Sequence, residues 1–301
     1  MKKFVKHILW FVLPVVILLV AGELYMRSIP NIYRYKDQWM RSRASDVEVL
    51  VLGNSHSFDG ISPSRLSCKA FNLAMPNQTF EEDYFMLTNY GPGCDSLKTV
   101  IVQLDECNLV LPSLEEMGYN DRATYYRIYM GYDKHSRWSL YNFEMSNPAT
   151  CWRKAKRYWQ AKRDGGNDLG CDSLGFSPQG ELQRGGNEDA EFLTKMWQKV
   201  SVVRENVRKL AKISDYCRDH GLHMLLITMP YKRSYVATLD RNMVKMVRMV
   251  GEQEGKKPHV TYINFQGDDR IADSDFIDNS HLTTSGAMKF SAIIDSVLVA
   301  D

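Results

Sequence analysis

The sequence lacks the signals of several common classes of protein. Its six cysteines include no C-x-x-C pair and its histidines no H-E-x-x-H pattern, so the usual zinc-site signatures are absent. It has no internal repeat, and 44 % apolar with 25 % charged residues excludes global disorder. The formal net charge of +2 is too small to imply a nucleic-acid partner. The length of 301 residues is sufficient for one large domain or two small ones.

Long apolar runs are confined to the N-terminus. From Phe4 the chain is apolar for about 18 residues, close to the minimum length that crosses a bilayer. Lysines precede the run, so the positive-inside rule predicts a cytoplasmic N-terminus and export of the remainder. A cleaved signal peptide is the alternative, but Val20 is a poor residue for the cleavage site. We therefore expect residues 1–22 to be a single-pass signal anchor and residues 23–45 to be a stalk.

Residues 46–301 alternate between short apolar runs and amphipathic stretches. Runs rich in β-branched residues predict buried strands, at 47–52, 70–74, 99–104, 223–228 and 260–265. Apolar residues at three- and four-residue steps predict helices, around 79–90, 195–217, 236–253 and 284–299. Strands that alternate with helices are typical of an α/β fold with a three-layer, doubly wound, parallel five-stranded sheet.

Residues 108–192 interrupt this alternation and predict a mixed insertion between the third and fourth strands. They are rich in aromatic residues and contain the glycine pairs 165–166 and 185–186. Within them, residues 152–163 carry six basic residues and no acidic one. A solvated helix face explains this charge, and a surface for an anionic glycan or lipid head group is the alternative. The aromatic residues form either a sugar-stacking cap or the core of a subdomain.

Two distant segments carry the residues of a hydrolytic triad. Ser55 follows the first predicted strand within the sequence GNSHS at 53–57, and Asp278 and His281 lie beyond the fifth strand. The carboxyl ends of parallel strands meet at one edge of a sheet, so these segments can come together. A serine nucleophile needs a base and a carboxylate that orients the base. Taken alone, each segment is also explained by residues that cap a following helix. A metal site formed by His56, Asp278 and His281 is a further alternative, but no metal-binding sequence motif supports it.

Four segments resemble the SGNH (GDSL-type) hydrolase and acyltransferase superfamily, especially its membrane-anchored bacterial branch with the DltD-like and alginate O-acetylation proteins. The matching segments are VLVLGNSHSFDGI at 49–61, AFNLAMPNQTFEEDYF at 70–85, HMLLITMP at 223–230 and DSDFIDNSHLTTSGAMKFSAII at 273–294. The resemblance implies a flavodoxin-like SGNH fold without metal or cofactor. It also implies Ser55 as the nucleophile, His281 as the general base and Asp278 as the group that orients it.

The resemblance further implies donors for the oxyanion of the intermediate, and here the chain departs from the family pattern. Asn77 stands where the second block normally has a glycine, and its backbone N–H can serve, with Asn72 or Gln78 as further donors. The third block normally has an asparagine after the third strand, and Asn108 fits only with a shifted register. His56, next to the nucleophile, is a candidate substrate contact.

Together, the anchor and the resemblance predict an extracytoplasmic serine esterase or O-acetyltransferase at the bacterial inner membrane. Its substrate would be an acylated cell-surface polysaccharide, and its partner a membrane-bound O-acyltransferase that supplies acyl groups. The alternative is a non-catalytic, SGNH-like carbohydrate-binding or assembly component of a polysaccharide modification or export system. The complete Ser/His/Asp set favours the enzyme, whereas the departure in the third block favours the alternative.

Overall fold

The computed structural model describes residues 2–134, 139–166, 169–182 and 189–300. The glycine pair at 185–186 lies outside the described residues. The chain divides into two compact units. The helical unit comprises Met1–Gln38 with Gly118–Gly170, and the sheet unit comprises Trp39–Met117 with Cys171–Asp301. The proposed division into an anchor, a stalk and a catalytic domain with an insertion stays a prediction.

The sheet unit is built on five parallel strands, as the sequence predicts. They are β1 (Val49–Val51), β2 (Ala70–Asn72), β3 (Thr99–Gln103), β4 (His223–Thr228) and β5 (Val260–Asn264). Their spatial order is β2-β1-β3-β4-β5, which is the order of flavodoxin-like sheets. β1 is buried along its whole length between β2 and β3, so its apolar run has no polar face. The chain therefore leaves β1 in the middle of the sheet, directly before Ser55.

The helices lie close to the predicted stretches, except that two of the predicted stretches are interrupted. They are α1 (Lys2–Ser28), α2 (Ile32–Arg43), α3 (Ser55–Gly60), α4 (Phe80–Tyr90), α5 (Glu106–Val110), α6 (Asn120–Met130), α7 (Pro148–Arg163), α8 (Asp189–Trp197), α9 (Val200–Asp219), α10 (Arg233–Val236), α11 (Arg241–Glu254) and α12 (Thr284–Ala300). The stretch predicted at 195–217 is divided between α8 and α9. The stretch at 236–253 begins only at α11, because the Asp240 side chain accepts hydrogen bonds from the backbone N–H groups of Asn242 and Met243 and so caps a new helix.

The described residues of 108–192 form helices and loops and contain no strand, and the expected mixed insertion stays a prediction. Local capping explains the helices. Asn147 accepts a hydrogen bond from the Thr150 N–H and Pro148 occupies the first position of α7, both typical of a helix start. α6 ends at Gly131, whose left-handed backbone (φ 77°) closes the last turn.

The N-terminal segment is helical beyond the apolar run. Residues 23–45, expected as a stalk, continue α1 to Ser28 and then form α2, and Met26, Ile29 and Tyr33 are buried. Within the described ranges, α1 is the one helix long and apolar enough to cross a membrane, over Trp10–Ser28. A signal sequence passes the same test.

Candidate active site

The turn that follows β1 presents Ser55 at the carboxyl edge of the sheet. Gly53 has φ 132°, and a Cβ there would lie 2.7 Å from the Gln103 side chain, so the turn requires glycine. Asn54 is the N-cap of α3, and its side chain accepts a hydrogen bond from the His56 N–H at 3.0 Å. Ser55 is therefore the first residue of α3, where its own N–H has no intrahelical partner.

Ser55, His281 and Asp278 form a continuous hydrogen-bonded chain. Ser55 Oγ lies 2.9 Å from His281 Nε2, and His281 Nδ1 lies 3.1 Å from each carboxylate oxygen of Asp278. The loop before α12 fixes this arrangement, since the backbone N–H groups of Ser280 and His281 both donate to Asp278 Oδ1 at 2.9 Å. With the Nδ1 proton on the Asp278 side, Nε2 is free to accept the Ser55 hydroxyl proton.

The charge of Asp278 is set by these contacts. Burial opposes ionisation of its carboxyl group, but the hydrogen bonds from His281 and from two backbone N–H groups outweigh burial and hold its pKa well below the usual value. The carboxylate therefore stays ionised across the neutral pH range. It can orient the imidazole and stabilise the imidazolium ion that forms when a base takes a proton.

A second histidine–aspartate pair lies directly beside the first. His56 Nδ1 is 2.8 Å from Asp105 Oδ2, and the ring centroids of His56 and His281 are 4.7 Å apart. Asp105 also accepts hydrogen bonds from the Tyr231 hydroxyl and the Asn108 N–H, each at 2.8 Å. Asp105 is completely buried and His56 is 6 % exposed. The structure thus places His56 in a buried polar network next to Ser55.

The electrostatics of this second pair favour a neutral imidazole. Burial lowers the pKa of His56 despite the hydrogen bond to Asp105, so the ring is uncharged at neutral pH. Burial also opposes ionisation of Asp105, but hydrogen bonds from His56, the Asn108 N–H and Tyr231 keep its pKa below the usual value. The pair is therefore an ionised carboxylate that accepts the Nδ1 proton of a neutral histidine.

Sequence reasoning missed three members of this network, namely Gln103, Asp105 and Tyr231. Gln103 joins the network to the turn at residues 53–57, because its Oε1 accepts hydrogen bonds from the Asn54 N–H at 3.2 Å and the Ser57 N–H at 3.1 Å. The available signal was position, since Gln103 ends β3 and Asp105 follows it at the carboxyl edge where sites of such sheets lie. Tyr231, beyond β4, gave no comparable signal.

The residues expected to donate to the oxyanion differ in conformation and in hydrogen bonding. Asn77 has φ 62° and is the one non-glycine residue with positive φ among the described residues, so its backbone takes a shape that glycine favours. The Asn72 side chain does not have the expected role of an oxyanion donor. Its amide donates to Ser57 O at 2.9 Å and Ile61 O at 2.8 Å, which leaves no hydrogen for a ligand. Gln78 donates to Asp83 Oδ1 at 2.6 Å.

Asn108 contacts the turn at residues 53–57. Its Oδ1 accepts a hydrogen bond from Asn54 Nδ2 at 3.3 Å, and its own Nδ2 is buried without a partner in the described part of the chain. The described residues hold no group of three or more His, Cys, Asp or Glu side chains that could bind a metal ion. The chemistry that Ser55, His281 and Asp278 can perform together is proton transfer and nucleophilic attack.

Comparison with known proteins adds little to this geometry. No family model and no curated protein matches the sequence. One solved structure that the fold resembles is provisionally described as a platelet activating factor from Streptococcus pneumonia. It is 10 % identical over 96 % of this chain and 98 % of its own, with a TM-score of 0.43. Likeness at that level carries no argument, so the functional conclusion depends on the site.

Proposed function

We propose that this protein is a serine esterase or O-acyltransferase that works through an acyl-enzyme. The observation that carries the proposal is the 2.9 Å contact of Ser55 Oγ with His281 Nε2, with His281 Nδ1 on Asp278. Serine without an adjacent base is a poor nucleophile, and a capping serine has no need of an oriented imidazole. The complete relay therefore supports catalysis more than a purely structural role.

The reaction follows from the positions of these three side chains. Ser55 Oγ attacks the acyl carbon while His281 Nε2 takes the hydroxyl proton, and the ionised Asp278 stabilises the imidazolium ion. Collapse of the tetrahedral intermediate breaks the ester bond, and His281 returns the proton to the departing alcohol. Water or a second hydroxyl group then gives its proton to His281 and attacks the acyl-enzyme. The second tetrahedral intermediate then breaks its bond to Ser55 Oγ, which takes the proton back from His281. Attack by water gives hydrolysis, and attack by a second hydroxyl group gives acyl transfer.

The oxyanion of the intermediate needs donors that face Ser55. The Ser55 N–H at the start of α3 is one, and the Asn77 N–H in its glycine-like conformation is the second that we propose. Removal of one such donor costs roughly 10²–10³ in kcat. Asn108 is a further candidate, because its buried Nδ2 has no hydrogen-bond partner among the described residues.

The substrate and the location complete the proposal. The resemblance to the SGNH superfamily, together with α1 as a membrane span, supports an inner-membrane enzyme whose sheet unit faces the periplasm. There it would act on acylated cell-surface polysaccharide beside a membrane-bound O-acyltransferase. Basic residues such as Arg27 and Arg34 also follow the apolar run, and alkaline phosphatase fused to the C-terminus tests the orientation, since it should be active if the C-terminus is periplasmic.

The acyl-enzyme can be tested directly on the full-length protein. Incubation with an activated acetyl ester should add one acetyl group to the Ser55 peptide in the wild type, and Ser55→Ala should remain unmodified. Addition of an acetylated polysaccharide or its deacetylated form then separates hydrolysis from transfer. A folded wild type that never carries the acetyl group, and that binds polysaccharide equally well as Ser55→Ala, would support the non-catalytic alternative.

A further inference from the structure

The end of α1 has a defined position relative to a membrane. The window Trp10–Ser28 includes the charged residues Glu23 and Arg27, so we place the hydrocarbon core over the preceding part of α1, from Phe4 to Gly22. This part is about 28 Å long at 1.5 Å per residue, which matches a core of about 30 Å. The following residues of the same helix, up to Ser28, would therefore reach the layer of lipid head groups. Whatever packs against residues 24–28 lies at that layer as well.

α7 packs at this point. Ala155 forms a buried apolar cluster with Met26 and Ile29. Two polar contacts fix the same junction, because Lys154 Nζ donates to Met26 O at 3.1 Å and Trp159 Nε1 donates to the Tyr25 hydroxyl at 2.7 Å. α7 is thus attached to the last turns of α1.

The exposed side of α7 carries an unusual combination of side chains. Trp152, Lys156, Trp159 and Arg163 recur at four-, three- and four-residue steps, so they form one stripe along the helix. Trp152 is 63 % and Trp159 48 % exposed, and their rings meet edge to face with centroids 6.1 Å apart. We call these four residues the tryptophan–basic stripe.

Further apolar side chains surround the same junction. Leu140 is 72 % and Phe143 50 % exposed. They flank Asn142, whose carbonyl oxygen accepts a hydrogen bond from Arg27 Nη2 at 2.6 Å. A solvated helix face needs the charges but gains nothing from exposed tryptophan and phenylalanine. Tryptophan beside lysine and arginine is the composition of segments at a membrane–water interface.

We propose that the tryptophan–basic stripe is a membrane-contact surface that binds anionic phospholipid head groups where α1 leaves the bilayer. The proposal rests on α1 being a membrane span, which is part of the proposed function above, but not on the chemistry of Ser55. The tryptophan rings lie among the head groups and upper acyl chains, and Lys156 and Arg163 pair with phosphate groups. The helical unit is thereby held against the membrane by two elements.

The experiment uses the full-length protein in single-copy nanodiscs of phosphatidylglycerol and phosphatidylcholine, with bromine either high or deep in the acyl chains. Trp152→Phe/Trp159→Phe should lose most of the fluorescence quenching by the shallow bromines. Trp10→Phe should lose the fluorescence quenching by the deep bromines. That signal reports on the membrane insertion of α1 alone. Trp39→Phe, whose ring stacks on Phe71 in the sheet unit, is the matched control and should change neither signal.

Each outcome decides the proposal. If Trp10 is quenched but the Trp152/Trp159 variant keeps all of the shallow quenching, α1 spans the membrane and the stripe does not touch lipid, which overturns the proposal. That result would suit a surface for another membrane protein, because the discs contain none. If Trp10 is not quenched, the membrane span itself is wrong and the stripe proposal fails with it, while the Ser55 chemistry is untouched.

The charges provide a second, independent readout. Lys156→Gln/Arg163→Gln should reduce the shallow quenching at least twofold in discs that contain phosphatidylglycerol, and should have little effect in pure phosphatidylcholine. Lys245→Gln/Arg248→Gln on the exposed side of α11 is the control of equal charge change. Equal quenching in both lipids for all variants would contradict anionic recognition.

Discussion

The two histidine–aspartate pairs of the sheet unit have the same chemistry and different surroundings. The ring of His281 is one-fifth exposed and its second nitrogen contacts Ser55, whereas His56 and Asp105 are buried and are tied to Tyr231. An imidazole can act as a base only if it faces the nucleophile and can carry a charge. The hydrogen-bond partner of the second nitrogen and the degree of burial thus distinguish the pair that we propose to be catalytic from the pair that supports the buried network.

The sharpest contrast should come from the two histidines. His281→Ala removes the base, and kcat should fall by roughly 10⁴–10⁶, as for other triads. Steady-state ester hydrolysis by the full-length protein measures this loss. His56→Gln is the matched variant, because glutamine can still donate to Asp105, and its kcat/KM should stay within about tenfold of wild type. Equal losses in the two variants would abolish the distinction drawn between the pairs.

The two aspartates should differ in their effect on activity. Asp278→Asn keeps the shape of the site but no longer stabilises the imidazolium ion, so kcat should fall by roughly 10⁴. Some stability should be lost as well, because the depressed pKa of Asp278 stabilises the fold at neutral pH. Asp105→Asn leaves several buried donors without a carboxylate, and the free energy of unfolding should fall by about 3 kcal/mol. Denaturant melts and kinetics on both variants measure the two losses, and a wild-type kcat in Asp278→Asn would contradict the account.

The pH dependence of stability should reveal the buried histidine. Burial lowers the folded pKa of His56, so its neutral form contributes stability above the ordinary histidine pKa of about 6.5, and this contribution is lost as pH falls through the folded pKa. His56→Gln should therefore flatten the decline in the free energy of unfolding below about pH 6.5. Denaturant melts at several pH values measure it, and an unchanged slope would show that His56 is not held neutral.

The smallest expected effect comes from Asp83, which belongs to neither pair. It accepts a hydrogen bond from the Gly53 N–H at 2.9 Å, and burial raises its pKa to about 7. A raised carboxyl pKa means that stability from this group is lost as pH rises through 7. Asp83→Asn should thus stabilise the protein at pH 8, on the order of 2 kcal/mol, and have little effect at pH 4. Greater stabilisation at pH 4 would reverse the sign and contradict the account.

The strands and the pairing of Ser55 with the Asp278/His281 loop could be predicted from the sequence, because the carboxyl ends of parallel strands lie at one edge of the sheet. It could not reveal the second pair, since Gln103, Asp105 and Tyr231 are ordinary residues singly and meet only when β3 and β4 are side by side. Asn72 was misjudged for a related reason. Its side chain satisfies two buried carbonyl groups, a need that only the folded backbone creates.

The central claim is that Ser55 is activated by His281, and a fluorophosphonate probe tests it most directly. The account predicts that the full-length wild type is labelled on the Ser55 peptide, that His281→Ala abolishes the label, and that His56→Gln retains it. Mass spectrometry of the digested protein identifies the labelled residue, and circular dichroism confirms that each variant is folded. A folded wild type without label, or a label that survives His281→Ala and disappears in His56→Gln, would contradict the account.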